Sequence, residues 1–150
     1  MKIKLSVSME RYQEIHSELL ALGIEIDENS DLVLLESGRY IDTLVVKDVQ
    51  TTELVRLPVG EIVSVEAFGH SIEVFAQGAS YRARERLYKI EAMLDPEKFL
   101  RVSNSVIVAR EKIRKISPSL SMKFVLTMSD GRSAVVTRSY YYIFREAMGI

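Results

Sequence analysis

Cysteine is absent from the 150-residue chain, which excludes disulfides, thiolate zinc sites and cysteine catalysis together. A cysteine-free chain suits a reducing cytoplasm. Long apolar runs are missing too: the clean stretch Leu32 to Leu35 is four residues, against about 20 needed to cross a bilayer as a helix. Met1 to Ser8 alternates apolar and polar residues instead of forming the continuous apolar core of about 7 to 15 residues that a secretory signal requires. The expectation is a soluble, cytoplasmic protein that begins with a strand. Histidine is scarce, and neither His16 nor His70 has a second His at metal-ligand helical spacing. G-x-S-x-G, G-x-x-x-x-G-K-S/T and G-x-G-x-x-G are all absent, so nucleophile-elbow and phosphate-loop chemistry lack their scaffolds. Nothing in the sequence points to an enzyme, a metal or a cofactor. No internal repeat is visible, which argues against a solenoid.

What is present is the composition of a folded domain: 47% apolar, 27% charged, with 7 Gly and 3 Pro, enough to bury a core and too apolar for disorder. The formal net charge of -1 conceals a division. Residues 1 to 58 hold 6 Lys and Arg against 11 Asp and Glu, a net of -5, and residues 59 to 150 hold 14 against 10, a net of +4. A basic half fits a polyanionic partner, because Lys and Arg that displace counterions from phosphates supply most sequence-independent affinity for nucleic acid.

The periodicity gives an α+β chain, mainly β. Residues 2 to 7 alternate as a strand; Met9, Tyr12, Ile15, Leu19 and Leu22 then recur at helical spacing. Ser8 and Gly23 stand where an N-cap and a left-handed stop belong. Strands are expected at Leu32 to Leu35 and Tyr40 to Val46, joined through Ser37-Gly38-Arg39. This makes an acidic β-α-β-β module of residues 1–56, too small to be comfortable alone, with Lys47 to Arg56 as a connecting ribbon and the boundary at Pro58-Val59-Gly60. In residues 57–150, Val63 to Phe68 and Ile72 to Ala76 form a hairpin tipped by His70, and a second turn follows at Gln77-Gly78. Ala83, Leu87, Ile90 and Leu94 predict one face of a helix ended by Asp95-Pro96. Phe99 to Val108 and Ile113 to Ile116 read as strands, Asp130-Gly131 as the turn of a hairpin, and Ser139 as the cap of a terminal helix.

Phe99-Leu100-Arg101-Val102-Ser103-Asn104-Ser105-Val106-Ile107-Val108, followed by Ile113, Asp130-Gly131 and Val136-Thr137-Arg138-Ser139-Tyr140, resembles the signature of the LytTR DNA-binding family. The resemblance runs from about residue 59 to 150 and includes the Glu61 to Glu66 strand and the Leu94-Asp95-Pro96 exit. Ser103 and Ala109 depart from it, standing where that family usually has His and Asn. The resemblance implies an elongated β-sheet domain that binds duplex DNA through loops. It also implies base contacts from His70 and Arg138 in successive major grooves and from Asn104 in the minor groove between them. The chemistry suits these residues, since Arg forks onto guanine O6 and N7 while imidazole and amide both donate and accept. Gly69, Ser71, Arg101 and Ser139 are then candidates for backbone contacts, and Lys112, Arg114 and Lys115 form a basic cluster able to ride phosphates. Taken alone, His70 equally fits a turn, Asn104 a local backbone bond, Arg138 a carboxylate pair, and the basic cluster a solvated face.

The resemblance implies a sequence-specific transcription regulator that recognises paired half-sites on double-stranded DNA. Response regulators of this family usually carry a phosphoacceptor receiver, and the segment ahead of the boundary is too short for that doubly wound fold. The acidic module is instead expected to support a homodimer or dock a regulatory protein. The alternative from another class is a protein-interaction or ligand-sensing adaptor that never touches DNA.

Overall fold

The computed structural model describes residues 1–36 and 40–150; the expected Ser37-Gly38-Arg39 turn lies outside the described residues. The chain divides into two units, Met1–Tyr40 and Ile41–Ile150.

In the first unit, β1 (Lys2–Ser6) leads into α1 (Met9–Ala21), then β2 (Glu25–Ile26) and β3 (Val33–Leu35). The sheet is parallel, with β1 between β2 and β3: α1 returns the chain to the starting end of β1 before β2, and the loop of residues 27–32 returns it again before β3. The helix stop is where the sequence places it: Gly23 takes φ 79, and the Ile24 N–H bonds Leu19 O at 2.9 Å. Ser8 precedes α1 in extended conformation, but its hydroxyl does not cap the helix. It donates instead to the Glu36 carboxylate at 3.4 Å, a group that Arg11 also meets at 3.4 Å. Ile3 and Leu5 are the buried apolar residues here, while Leu20, Leu22 and Leu32 are more than half exposed.

The second unit begins earlier than the sequence suggests. The strand expected at Tyr40 to Val46 is β4 (Thr43–Asp48), and the expected ribbon is the turn and return strand β5 (Leu54–Pro58) of a hairpin. Asp48 stabilises that turn by accepting the Gln50 and Thr51 N–H groups at 2.8 and 3.1 Å. The division consequently falls after Tyr40, not at 56, because β4 pairs with a strand of the larger unit and Leu44, Val46 and Leu57 enter its core. The charge contrast survives the shift: residues 1–40 hold 4 Lys and Arg against 8 Asp and Glu, residues 41–150 hold 16 against 13.

Next come β6 (Ile62–Phe68), β7 (Ser71–Ala76) and β8 (Ala79–Ala83), then α2 (Leu87–Met93), β9 (Phe99–Ser103) and β10 (Val106–Ala109). Seven strands join in the order β5-β4-β8-β7-β6-β10-β9. The helix expected from Ala83 is shorter than its pattern. Gln77 and Gly78, both left-handed at φ 51 and 74, close a tight type I′ hairpin, and its register carries Tyr81 and Ala83 into strand pairing with Val74 and Ile72. Likewise Phe99 to Val108 is two strands, reversing at Asn104.

A second sheet holds β11 (Ile113–Ser119), β12 (Lys123–Met128) and β13 (Ser133–Val136), all antiparallel. Its Asp130-Gly131 turn is the one expected, with the Asp130 carboxylate accepting the Arg132 N–H at 3.0 Å. After β13, residues Arg138–Tyr140 make one 3-10 turn before α3 (Tyr141–Met148). Ser139 therefore sits inside that turn instead of capping α3; Tyr140 precedes the helix, and Gly149 closes it at φ 69.

Two cores flank the large sheet. One packs Leu87, Ile90 and Leu94 against Leu44, Val65, Val74 and Ile107; the other packs Val63, Val102 and Val108 against Phe124, Leu126, Val136 and Phe144. The middle strands thus bury both faces, which explains why Ile62 to Val65 reads as a continuous buried run.

Candidate nucleic-acid interface

His70 sits where β6 turns into β7. Phe68 pairs with Ser71, leaving Gly69-His70 as a two-residue loop with positive φ at Gly69, 59°. That is the type II′ pattern, in which the first loop position favours glycine. Gly69 is thereby a conformational requirement of the tip, and His70 is left exposed.

Asn104 lies beside this tip. Val106 of β10 pairs with Glu66 of β6 and with Ser103 of β9, and the Ala67 N–H donates to Ser105 O at 2.8 Å. The β9–β10 turn therefore ends level with Ala67. The β6–β7 tip continues about two residues farther, about 7 Å at strand rise.

Arg138 is brought to the same edge by the crossing of the two sheets. At one end of β13, Arg132 bonds Glu66 of β6 at 2.8 Å and covers the Phe75 ring of β7 at 3.5 Å. At the other end, the Thr137 N–H donates to Val102 O of β9 at 3.0 Å. The chain of β13 thus runs steeply across the large sheet, from the reach of the Arg132 side chain over β6 and β7 to the Thr137 bond on β9, and Arg138 follows that bond. The Tyr140 hydroxyl closes the arrangement by donating to Asn104 Oδ1 at 3.2 Å.

His70, Asn104 and Arg138, all exposed, come from three separate stretches and form one row, with Gly69, Ser71 and Ser139 beside them. Arg101 joins the row in a different capacity. Its Nε donates to Ser103 O at 2.7 Å and its terminal nitrogen to Asn104 O at 2.5 Å, while Glu91 of α2 stands 3.5 Å away. With the side chain only 18% exposed, the guanidinium holds the turn that presents Asn104. Ser103 adds its own hydroxyl, which accepts the Ser105 N–H at 3.2 Å.

Lys112, Arg114 and Lys115 are not brought to this edge. Lys112 borders a depression with Glu61, Gln77 and Gly78, at the end of β7 opposite His70, and Arg114 donates to Glu111 O at 2.8 Å. Two contributors escape the sequence reading. Tyr140 stands within the quoted motif, yet nothing local shows that its hydroxyl returns to residue 104; Glu91 lies on a helix face that reads simply as wet.

The β-scaffold thus presents exposed imidazole, amide and guanidinium groups on turns and strand ends. The family model of the LytTr DNA-binding domain matches residues 52–149, and the chain belongs to that family. Its fold is similar to a solved LytTr DNA-binding domain from a Bacillus cereus protein described as a methyl-accepting/DNA response regulator, with a TM-score of 0.69 and 25% identity over 73% of this chain and 99% of that one. The sensory transduction protein LytT of Enterococcus faecalis is 29% identical over 89 residues, 59% of this chain. The match spans only 36% of that relative's length. No helix among the described residues is long and apolar enough to cross a membrane.

Proposed function

We propose that the protein is a cytoplasmic transcription regulator that recognises paired half-sites on duplex DNA. His70 and Arg138 would read base edges in the major groove, and Asn104 the minor groove between them. The observation that carries this reading is the single row formed by three exposed polar side chains from distant parts of the chain, on a domain of a DNA-binding family. The recessed Asn104 turn beside the projecting β6–β7 tip suits a shallow central contact next to a deeper one. Gly69, Ser71 and Ser139 would donate to phosphates, as donors beside base-reading loops commonly do, and the binding chemistry requires no cofactor.

The first unit would supply a second protomer or a docking point for a regulatory protein. Its support is the small number of buried apolar residues in Met1–Tyr40, since an element pair of this size rarely stands alone, together with its acidic balance. Selection from a randomised duplex pool tests the DNA reading. Two similar short motifs at a fixed helical spacing are the expected product; a folded protein that enriches nothing, either whole or as residues 41–150, would point to an adaptor that does not bind DNA. Sedimentation of the full chain against residues 41–150 tests the dimer, which should be lost with the first unit.

A further inference from the structure

One ion pair joins the strand that leads to His70 with the strand that leads to Arg138. Glu66 lies on β6, four residues before His70, and Arg132 lies at the entry to β13, six residues before Arg138. Arg132 Nη2 meets Glu66 Oε2 at 2.8 Å, with the carboxylate side chain 12% exposed. The buried Ser64 hydroxyl donates to the same oxygen at 3.2 Å, and the guanidinium lies 3.5 Å from the centre of the Phe75 ring. The pair is therefore held at both ends, on β6 by Ser64 and at the β12–β13 turn by Asp130, which accepts the Arg132 N–H.

Stability does not account for this arrangement. Glu66 stands opposite Glu73 in the β6–β7 ladder, and like charges facing each other across a strand pair are unfavourable. Arg132 Nε is buried and has no hydrogen-bond partner among the described residues, an omission that costs free energy. Shielded ion pairs contribute little net stability, and their best-attested use is to fix register. What this pair fixes is the line along which β13 crosses the large sheet. The apolar core between the sheets, Val63 and Val102 against Leu126 and Val136, is non-directional. The Thr137 bond to Val102 anchors the far end of β13 on β9 and leaves it free to pivot; the Arg132 link to β6 removes that freedom.

We propose that Glu66 and Arg132 are positioning residues that set the separation of His70 and Arg138, and with it which base pairs the two side chains reach together. The inference rests on the reading of this edge as DNA-binding. In this role neither Glu66 nor Arg132 touches DNA. Both act through the strands that carry the readers.

The test uses the full-length protein. Glu66→Gln keeps an acceptor for Arg132 and Ser64 and is the conservative variant. Glu66→Gln combined with Arg132→Met removes the link, leaves the net charge as in the parent, and keeps cover on Phe75, since a thioether packs well against an aromatic ring. This double variant should melt within about 5 °C of the parent and keep its salt slope on random duplex. Selection on a randomised half-site should show preference reduced about tenfold at the positions that depend on Arg138, as defined by Arg138→Ala. Positions that depend on His70 should stay parental, and Glu66→Gln alone should select as the parent does. Because the chain has no cysteine, spin labels at His70→Cys and Ser139→Cys read the separation directly: a narrow distance distribution should broaden or shift in the double variant. Parental preferences at every position, or an unchanged label distance, overturns the proposal. A double variant that fails to fold, or equal loss at the His70 and Arg138 positions, overturns it as well, since the pair would then be merely structural. So does a salt slope lowered by about one with parallel loss on random duplex, which would make Arg132 a phosphate contact. If His70→Ala and Arg138→Ala both leave discrimination intact, the reading of the edge itself fails and takes the proposal with it, whatever the labels show.

Discussion

Replacing Arg101 by alanine separates a residue that positions a turn from one that touches DNA. The guanidinium donates to the carbonyls of Ser103 and Asn104 at 2.7 and 2.5 Å, and hydrogen bonds to a charged group contribute about 1.5–3 kcal/mol each when well shielded. Shielding here is incomplete, because Asn104 is exposed, and the pair with Glu91, itself 44% exposed, adds less than about 1 kcal/mol. A net loss of about 2–3 kcal/mol in stability is therefore expected, corresponding to a drop of about 8–15 °C in Tm for a unit of this size. The same change frees the β9–β10 turn, so the minor-groove contact should lose its share of discrimination, about 1–3 kcal/mol at the affected base pairs. Affinity for random DNA and the salt slope should stay as they are, because no phosphate contact has been removed. Urea melting, together with titrations of specific and random duplex at several salt concentrations, reads all three quantities. A salt slope reduced by about one, with parallel loss on both duplexes, would return Arg101 to the phosphate-contact role its position in the motif suggests and refute the positioning role.

Three further outcomes follow from the geometry. Arg138→Ala should cost about 1–3 kcal/mol of specific binding in a competition assay while leaving most non-specific affinity in place. Tyr140→Phe deletes only the hydroxyl that orients Asn104; specific affinity should fall severalfold with Tm lowered by no more than a few degrees, since an exposed neutral hydrogen bond contributes about 0.5–1.5 kcal/mol. Ser121→Gly relieves one left-handed residue and should raise stability by about 0.5–1 kcal/mol, measured by urea melting, the reverse of the usual effect of glycine within a strand.

Much of the architecture is visible in residue order because it is local. Asp130-Gly131 dictates its turn, Gly23 its helix end, and Gly69 the hairpin that lifts His70. The errors arise where local preference competes with pairing. Ala83 matches the helical spacing of Leu87 and Ile90, yet the register imposed by Gln77-Gly78 takes it into β8. The strand beginning at Thr43 follows an acidic segment in sequence, but its partner Tyr81 is more than thirty residues away, so its membership in the larger unit has no local signal. The site divides in the same way. His70, Asn104 and Arg138 can be singled out by type and motif, whereas their alignment depends on the bond from Thr137 to Val102, and the engagement of Arg101 depends on Glu91 and the folded-back turn.

The steep crossing of the two sheets separates two distances that most loop-based binding surfaces mix. Displacement along the row is counted in strands, each about 4.8 Å from the next and locked by backbone hydrogen bonds, while reach away from the sheet is counted in hairpin residues. A residue inserted into the β6–β7 loop would change how deeply His70 projects but not how many strands separate it from Asn104. Lengthening β13 would move Arg138 farther across the sheet with little change in depth. The large sheet therefore works as a ruler whose spacing is set by main-chain geometry, leaving the tips free to vary in chemistry without disturbing the distance between them.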